Sequence, residues 1–176
     1  MTKPEKQLED LKNLVKNLES VVVAYSGGVD SALAAKICYD VLGQNAVAVT
    51  ASSETYPEFE LEGAKKTAKE IGIKHKIVHT RELDIAEFAG NNPDRCYYCK
   101  TELFSKLKDI AKKLKFKNIV DGSNLDDLGD FRPGLKAAKE FGIRSPLKEV
   151  GLTKNDVREV SRLLGLSTWN KPAFAC

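Results

Sequence analysis

Leu8, Leu11, Leu14, Val15 and Leu18 recur at helical spacing and predict an amphipathic helix over residues 4–18, a packing element with no chemistry of its own. The run VVVAY that follows, residues 21–25, is β-branched, too short for a helix and bounded by SGG. That is the pattern of a strand buried on both faces of a parallel sheet. A helix is predicted from Asp30 to Leu42, with Leu33, Ile37, Cys38 and Val41 on one side and Gly43 as its stop. A second strand is AVAVTA, residues 46–51; a helix over 58–71 ends at Gly72; KHKIVHT, residues 74–80, is the third strand. Residues 98–114 carry the stripe Leu103, Phe104, Leu107, Ile110, Ala111 and Leu114, and NIVDGSN, residues 118–124, reads as a fourth strand with a loop at its carboxyl end. Helices over 134–141 and 153–164 complete the chain, the second capped by Thr153 with Val157, Val160 and Leu164 inward. Strands alternating with helices predict an α/β fold with a doubly wound, mainly parallel sheet. With no internal repeat or convincing linker, residues 1–176 are expected to form one domain.

Composition narrows the function. With 42% hydrophobic residues the chain can bury a real core, so disorder and a collagen-like architecture are excluded. A formal charge of +3 and a pI near 8.6 arise from nearly balanced acids and bases, too mild an excess for an obligate nucleic-acid binder. The opening MTKPEKQLEDLKN lacks the apolar stretch of a secretory signal, and no segment approaches the ~20 apolar residues of a membrane span. The expectation is a cytoplasmic protein with no membrane partner. Its four cysteines are then read as buried, metal-bound or catalytic thiols in a reducing compartment.

SGGVDS, residues 26–31, joins the first strand to the first crossover helix, at the sheet edge where ligands bind. Gly27 and Gly28 allow a tight turn and close approach of backbone to an anion, and the positive end of the following helix attracts phosphate. Ser26 and Ser31 add hydroxyl donors, and the Asp30 carboxylate suits Mg²⁺ held against phosphate oxygens. The Lys of GxxxxGK[ST] and the third glycine of GxGxxG are missing, which argues against a Walker loop and an ordinary dinucleotide site. The segment resembles the pyrophosphate loop of the PP-loop ATP pyrophosphatases, the superfamily of GMP synthetase, NAD synthetase and several tRNA-thiolating enzymes. That resemblance implies a Rossmann-like fold of the adenine nucleotide alpha hydrolase type, ATP and Mg²⁺ as cofactors, and cleavage of ATP between its α and β phosphates with AMP passed to a substrate oxygen.

Two more loops follow strands. TASSETYP, residues 50–57, contains Thr50 and Ser52 where the resemblance implies contacts to adenine and ribose. DGSNLDDLGDFRPG, residues 121–134, holds Gly122, Asn124, Asp126, Asp127, Asp130 and Arg132 at the end of the fourth strand. Clustered charges at a sheet's carboxyl edge point to a site.

RCYYCK, residues 95–100, places Cys96 and Cys99 at i and i+3, on one side of a helix. Such a pair can chelate metal, cycle as a dithiol or stay inert. Cys38 sits in an apolar stripe and reads as core; Cys176, in WNKPAFAC, is the third candidate. Three thiolates are one short of the usual four for an iron–sulfur cluster and would leave one iron open to an external sulfide, whereas Cys176 alone could attack an acyl adenylate. Arg95 and Lys100 flank the pair and favour thiolate.

PDRCYYCKTELF, GSNLDDLGDFRPG, the RSPL, LTKNDVR and LGL pieces of residues 144–166, and WNKPAFAC together resemble the LarE family of ATP-dependent sulfur transferases from Val21 onward. The resemblance implies pyridinium-3,5-biscarboxylic acid mononucleotide as substrate, its carboxylates adenylated and converted to thiocarboxylates for the nickel-pincer nucleotide cofactor. Some members sacrifice the cysteine matching Cys176, which becomes dehydroalanine; others carry a 4Fe-4S cluster on cysteines matching Cys96, Cys99 and Cys176, the pattern found here. Expected site roles are Ser26, Gly27, Gly28, Asp30, Ser31, Thr50, Ser52, Gly122 and Asn124 for the nucleotide, Asp30 for magnesium, Lys100 and Arg132 for anionic substrate groups, Asp127 for shaping the site, and Cys176 for sulfur. Trp169 either walls a pocket beside Cys176 or anchors the core. Family members continue past this cysteine into a second portion involved in substrate-phosphate binding and oligomer contacts, which the present sequence does not contain; a homo-oligomer is still expected. The rivals are a PP-loop tRNA thiolase, supported by the Lys-rich residues 106–117, and a non-catalytic ATP-binding module. Amide synthesis with ammonia leaves the cysteines unexplained.

Overall fold

The structure, a computed structural model, describes residues 1–54, 56–81, 84, 90, 93–129 and 133–173. Its elements in chain order are α1 (Lys3–Lys16), β1 (Val21–Ala24), α2 (Val29–Leu42), β2 (Ala46–Ser52), α3 (Glu58–Ile71), β3 (Lys74–His79), α4 (Arg95–Leu114), β4 (Asn118–Val120), α5 (Pro133–Glu140), α6 (Pro146–Val150) and α7 (Lys154–Leu163). The four strands are parallel in the order β3-β2-β1-β4, with Val21 opposite both Ala46 and Asn118. The chain winds outward from β1 to β3 and then returns to β1's other side, so a crevice opens between the carboxyl ends of β1 and β4.

Side chains of β1 alternate between two cores. Val21 and Val23 pack with Leu33, Ile37, Ala64, Leu147 and Val157 on the face covered by α1, α2, α3, α6 and α7. Val22 packs with Phe104, Leu107 and Ala137 under α4 and α5 on the other. All three valines are completely buried, as a strand covered on both faces requires. Cys38 is also fully buried, and desolvation pushes its thiol up to about 12, so its reading as an inert core residue holds.

The fourth strand is shorter than predicted. From Asp121 the chain leaves the ladder because the Asp121 carboxylate accepts from the Ser123 amide (3.1 Å), the Ser123 hydroxyl (3.0 Å) and Ser145 Oγ (2.7 Å), closing a local turn. Helix α4 starts at Arg95, earlier than the apolar stripe indicated, and therefore includes both Cys96 and Cys99. The short α6 was not anticipated, its five residues being too few to show a helical period.

Two glycines set how closely the elements at the crevice approach. Gly27 has φ +84, and a Cβ there would lie 2.7 Å from Ala64 Cα and 2.8 Å from Ala64 Cβ in α3. A Cβ on Gly122 would lie 2.7 Å from the Ser31 amide nitrogen and 2.9 Å from the Asp30 carbonyl carbon. Gly28 differs: its φ is −74, and a Cβ would meet only Ser26 Oγ, at an ordinary 3.5 Å. Gly27→Ala is accordingly expected to cost about 2–4 kcal/mol from strain plus overpacking, and Gly28→Ala no more than about 1 kcal/mol; urea unfolding of the two variants checks the contrast.

Lys3 of α1 reaches Asp156 of α7 at 2.6 Å, and Asp156 also accepts from the Thr153 amide (3.0 Å) and hydroxyl (2.9 Å) in a capping box. Burial pushes the Asp156 carboxyl up, but the hydrogen bonds from Lys3 and Thr153 together outweigh it and hold the group at about 2. A depressed carboxyl stabilises the fold above its unfolded pKa and loses that contribution as pH falls through the folded value. The thermal midpoint is expected to drop between the ordinary 3.8 and about 2. Asp156→Asn flattens that part of the profile, as melting curves across this range will show.

Candidate functional site

Helix α2 begins at the crevice with Gly28 as its N-cap, so the amides of its first turn have no intrahelical partner. The loop before it is closed on itself. Ser31 Oγ accepts from the Ser26 amide (3.1 Å) and lies 3.0 Å from Ser26 Oγ, which accepts from the Gly28 amide at 3.3 Å. Tyr56 donates from its hydroxyl to the Ser26 carbonyl (2.9 Å), and burial, then the nearby Glu60, pushes its phenol pKa up. The result is a shaped turn with a positive helix end, suited to a phosphate chain.

Asp30, in the first turn of α2, has both carboxylate oxygens engaged. Oδ1 accepts from the Asn124 side-chain amide at 2.9 Å, and Oδ2 pairs with the Lys154 ammonium. Asn124 is buried and works in three directions, because its amide also donates to Asp127 Oδ2 (2.9 Å) and its side-chain oxygen accepts from the Asp126 amide (2.9 Å). Asp126 in turn accepts from the Lys154 amide at 2.9 Å. Thus Ser26, Gly27, Gly28, Asp30, Ser31, Gly122, Asn124 and Asp127 come together at the ends of β1 and β4.

Lys154 was missed, although a signal existed. A lysine just after the Thr153 cap stands at a helix N-terminus, where the macrodipole disfavours a cation, and such a residue is there for some other contact. For Mg²⁺ the donor set fits. Asp30 offers one partly exposed carboxylate beside the phosphate loop, which matches an ion that takes one or two protein carboxylates and draws its other ligands from phosphates and water.

Thr50 and Ser52 lie on β2 beside the crevice, but Thr50 is 1% exposed and turns inward. Its hydroxyl donates to the Tyr25 carbonyl (2.8 Å) and lies 2.7 Å from His75 Nε2. Burial, then Lys65, lowers the His75 pKa, and the ring meets that of Tyr25 edge-on at 5.3 Å. Thr50 therefore shapes the floor with its side chain. The Ser52 carbonyl accepts from the Thr80 amide at 2.9 Å.

Cys96 and Cys99 occupy the first turns of α4, whose amino end points to the same sheet edge from the opposite face. Both are partly buried thiols. The start of α5 packs on this end of α4: a Cβ on Gly134 would lie 3.0 Å from Lys100 Cγ and 3.8 Å from the Cys96 carbonyl oxygen. Lys100 Nζ stands 6.0 Å from the Phe104 ring centre. Tyr97 donates to Glu140 at 2.6 Å and fastens this turn to α5. Arg132, Asp130 and Cys176 lie outside the described residues. Among the described residues no three His, Cys, Asp or Glu side chains form a metal-binding group, and of the three expected cluster ligands these residues include Cys96 and Cys99. Trp169 is 38% exposed and stacks under Arg162, 5.6 Å from the ring centre, rather than anchoring the core. Among the described residues no helix is long and apolar enough to cross a membrane.

Comparison with known proteins agrees with this geometry. The NAD synthase family model matches residues 5–117. An uncharacterised protein of Synechocystis is 49% identical over 172 residues, covering 98% of this chain and 64% of that protein. The pyridinium-3,5-bisthiocarboxylic acid mononucleotide synthase of Lactiplantibacillus plantarum is 41% identical over 160 residues, 90% of this chain and 58% of the synthase. The chain thus spans about three-fifths of the length of these curated relatives. Among solved structures, the NMN synthetase from Francisella tularensis superposes with a TM-score of 0.78 at 19% identity, over 98% of this chain and 76% of the synthetase, and shares the fold. With the matched segment covering well over half of its residues, the chain belongs to the NAD synthase family of PP-loop ATP pyrophosphatases.

Proposed function

We propose that this chain is the nucleotide-binding part of an ATP-dependent sulfur transferase that turns a carboxylate of pyridinium-3,5-biscarboxylic acid mononucleotide into a thiocarboxylate. The observation that carries the reading is one sheet edge that gathers a phosphate-shaped turn, the Asp30 carboxylate and the amino end of the cysteine-bearing helix α4, in a chain similar over nine-tenths of its length to a synthase of the bisthiocarboxylate. In this reading the α2 amides, Ser26 and Ser31 hold the β and γ phosphates of ATP. Asp30 holds Mg²⁺, which when bound neutralises phosphate charge. Arg132 and Lys100 orient the anionic substrate. The substrate carboxylate attacks the α-phosphorus, the bond to the β-phosphate oxygen breaks, and pyrophosphate leaves with the electron pair. The acyl adenylate now has AMP as a good leaving group.

The Cys176 thiolate displaces AMP to give a thioester. Removal of the Cys176 α-proton by a base then breaks the Cβ–S bond, leaving sulfur on the product and dehydroalanine in the chain. In the three-cysteine alternative, Cys96, Cys99 and Cys176 would hold a 4Fe-4S cluster whose open iron would carry sulfide, and the described residues include two of those cysteines.

Asp30→Asn is expected to lower the rate of substrate-dependent AMP release about a hundredfold, with the loss relieved in part by raised Mg²⁺. Cys176→Ala should still release pyrophosphate but hold AMP in the acyl adenylate, freed only as water hydrolyses it, and make no thiocarboxylate. Mass spectrometry of the protein after turnover separates the sulfur sources. Loss of H₂S from Cys176 marks the sacrificial route, whereas an unchanged mass, with bound iron that falls in each single cysteine variant, marks the cluster. AMP release without any carboxylate, or thiolated tRNA as the product, overturns the reading.

A further inference from the structure

Glu60, Gly63 and Ala64 share one face of α3, being three and four residues apart. Ala64 backs Gly27. Lys171 Nζ lies beside Gly63, where a Cβ would meet it at an ordinary 3.9 Å. That ammonium donates to the Gly27 carbonyl at 3.3 Å and pairs with Glu60 Oε2 at 3.1 Å. The pair is largely withdrawn from water, with side-chain exposures of 23% and 12%, and the second carboxylate oxygen, Oε1, is buried without a hydrogen-bond partner among the described residues. The Gly27–Gly28 peptide is therefore held at both ends, its carbonyl by Lys171 and its amide by Ser26 Oγ.

The backbone around Lys171 is fastened separately. Arg158 of α7 donates to the Trp169 carbonyl (2.9 Å) and the Lys171 carbonyl (3.0 Å), and the Lys171 amide donates to the Thr168 carbonyl (3.0 Å). A segment gripped by α7 thus reaches into the back of the phosphate turn with one side chain. Cys176 is five residues further along, a span of at most about 18 Å of extended chain.

We propose that Lys171 is a positioning residue for the sulfur transfer, an inference that rests on the reading above. Its ammonium ties the segment leading to Cys176 to the Gly27 carbonyl and neutralises Glu60 behind the phosphate turn. Without it Glu60 is a buried carboxylate with neither oxygen paired, directly behind the place where a polyphosphate docks. The two duties are separable, because removing the Glu60 charge cures the repulsion but does not restore the tether.

The test uses the whole chain as wild type, Lys171→Met, Lys171→Arg, and the double variant Glu60→Gln with Lys171→Met. Two quantities are read: affinity for Mg²⁺ with a non-hydrolysable ATP analogue, by calorimetry, and the rate at which iodoacetamide alkylates Cys176 with and without the analogue, by peptide mass mapping. In the wild type the analogue slows alkylation of Cys176. Lys171→Met is expected to bind the analogue about tenfold more weakly and to lose the effect of nucleotide on alkylation, while Lys171→Arg keeps both. The double variant should recover affinity yet leave Cys176 insensitive to nucleotide. Wild-type affinity together with a wild-type nucleotide response in Lys171→Met overturns the proposal, as does Lys171→Arg behaving like Lys171→Met. If melting curves show that Lys171→Met does not fold, the double variant decides, and a nucleotide-responsive Cys176 there overturns it. A wild type that binds no nucleotide overturns the functional reading itself and this coupling with it.

Discussion

Everything at the crevice depends on backbone meeting backbone at Gly122. The chain leaving β4 crosses the first turn of α2 so closely that no Cβ fits between it and the Ser31 nitrogen. On the other flank Gly27 presses against Ala64 of α3 with equal intimacy. The helix end is thus wedged between a strand exit and a neighbouring helix. Its first-turn amides have no intrahelical partner, and in the proposed function an anion supplies one.

Around that wedge runs a ring of polar contacts that ties distant parts of the chain together. Asn124 joins the β4 exit to Asp30, Asp126 takes the first amide of α7, and Lys154 of α7 comes back to Asp30. The ring links the β4 exit to two helix starts. The capping box at Thr153, braced by Lys3, orients the helix that brings Lys154.

Most of the architecture was legible because parallel strands buried on both faces write themselves as short β-branched runs, and glycine stops such as Gly43 and Gly72 mark where helices end. The phosphate turn was legible for a related reason: two glycines and two serines between a strand and a helix have few other uses. What stayed hidden was every contact made across long sequence separations. Lys171 and Glu60 look like ordinary surface charges until folding puts them behind Gly27. Thr50 was placed at the end of the second strand as a nucleotide contact, and nothing in the sequence shows that its hydroxyl is taken by Tyr25 and His75. The strand predicted through Asn124 ended early because Asp121 could satisfy local donors more cheaply than the ladder could.

The pairing of Asp30 with Lys154 has a consequence for how the crevice is filled. At rest it is already an ion pair, not a vacant acidic socket. A bare divalent ion would have to displace that ammonium while bringing it no charge in return. An ion that arrives already wrapped in a polyphosphate brings the evicted ammonium a new counter-charge. In the proposed function that ion pair would be met most readily by metal and nucleotide arriving together, since the polyphosphate would supply the ammonium with a new counter-charge.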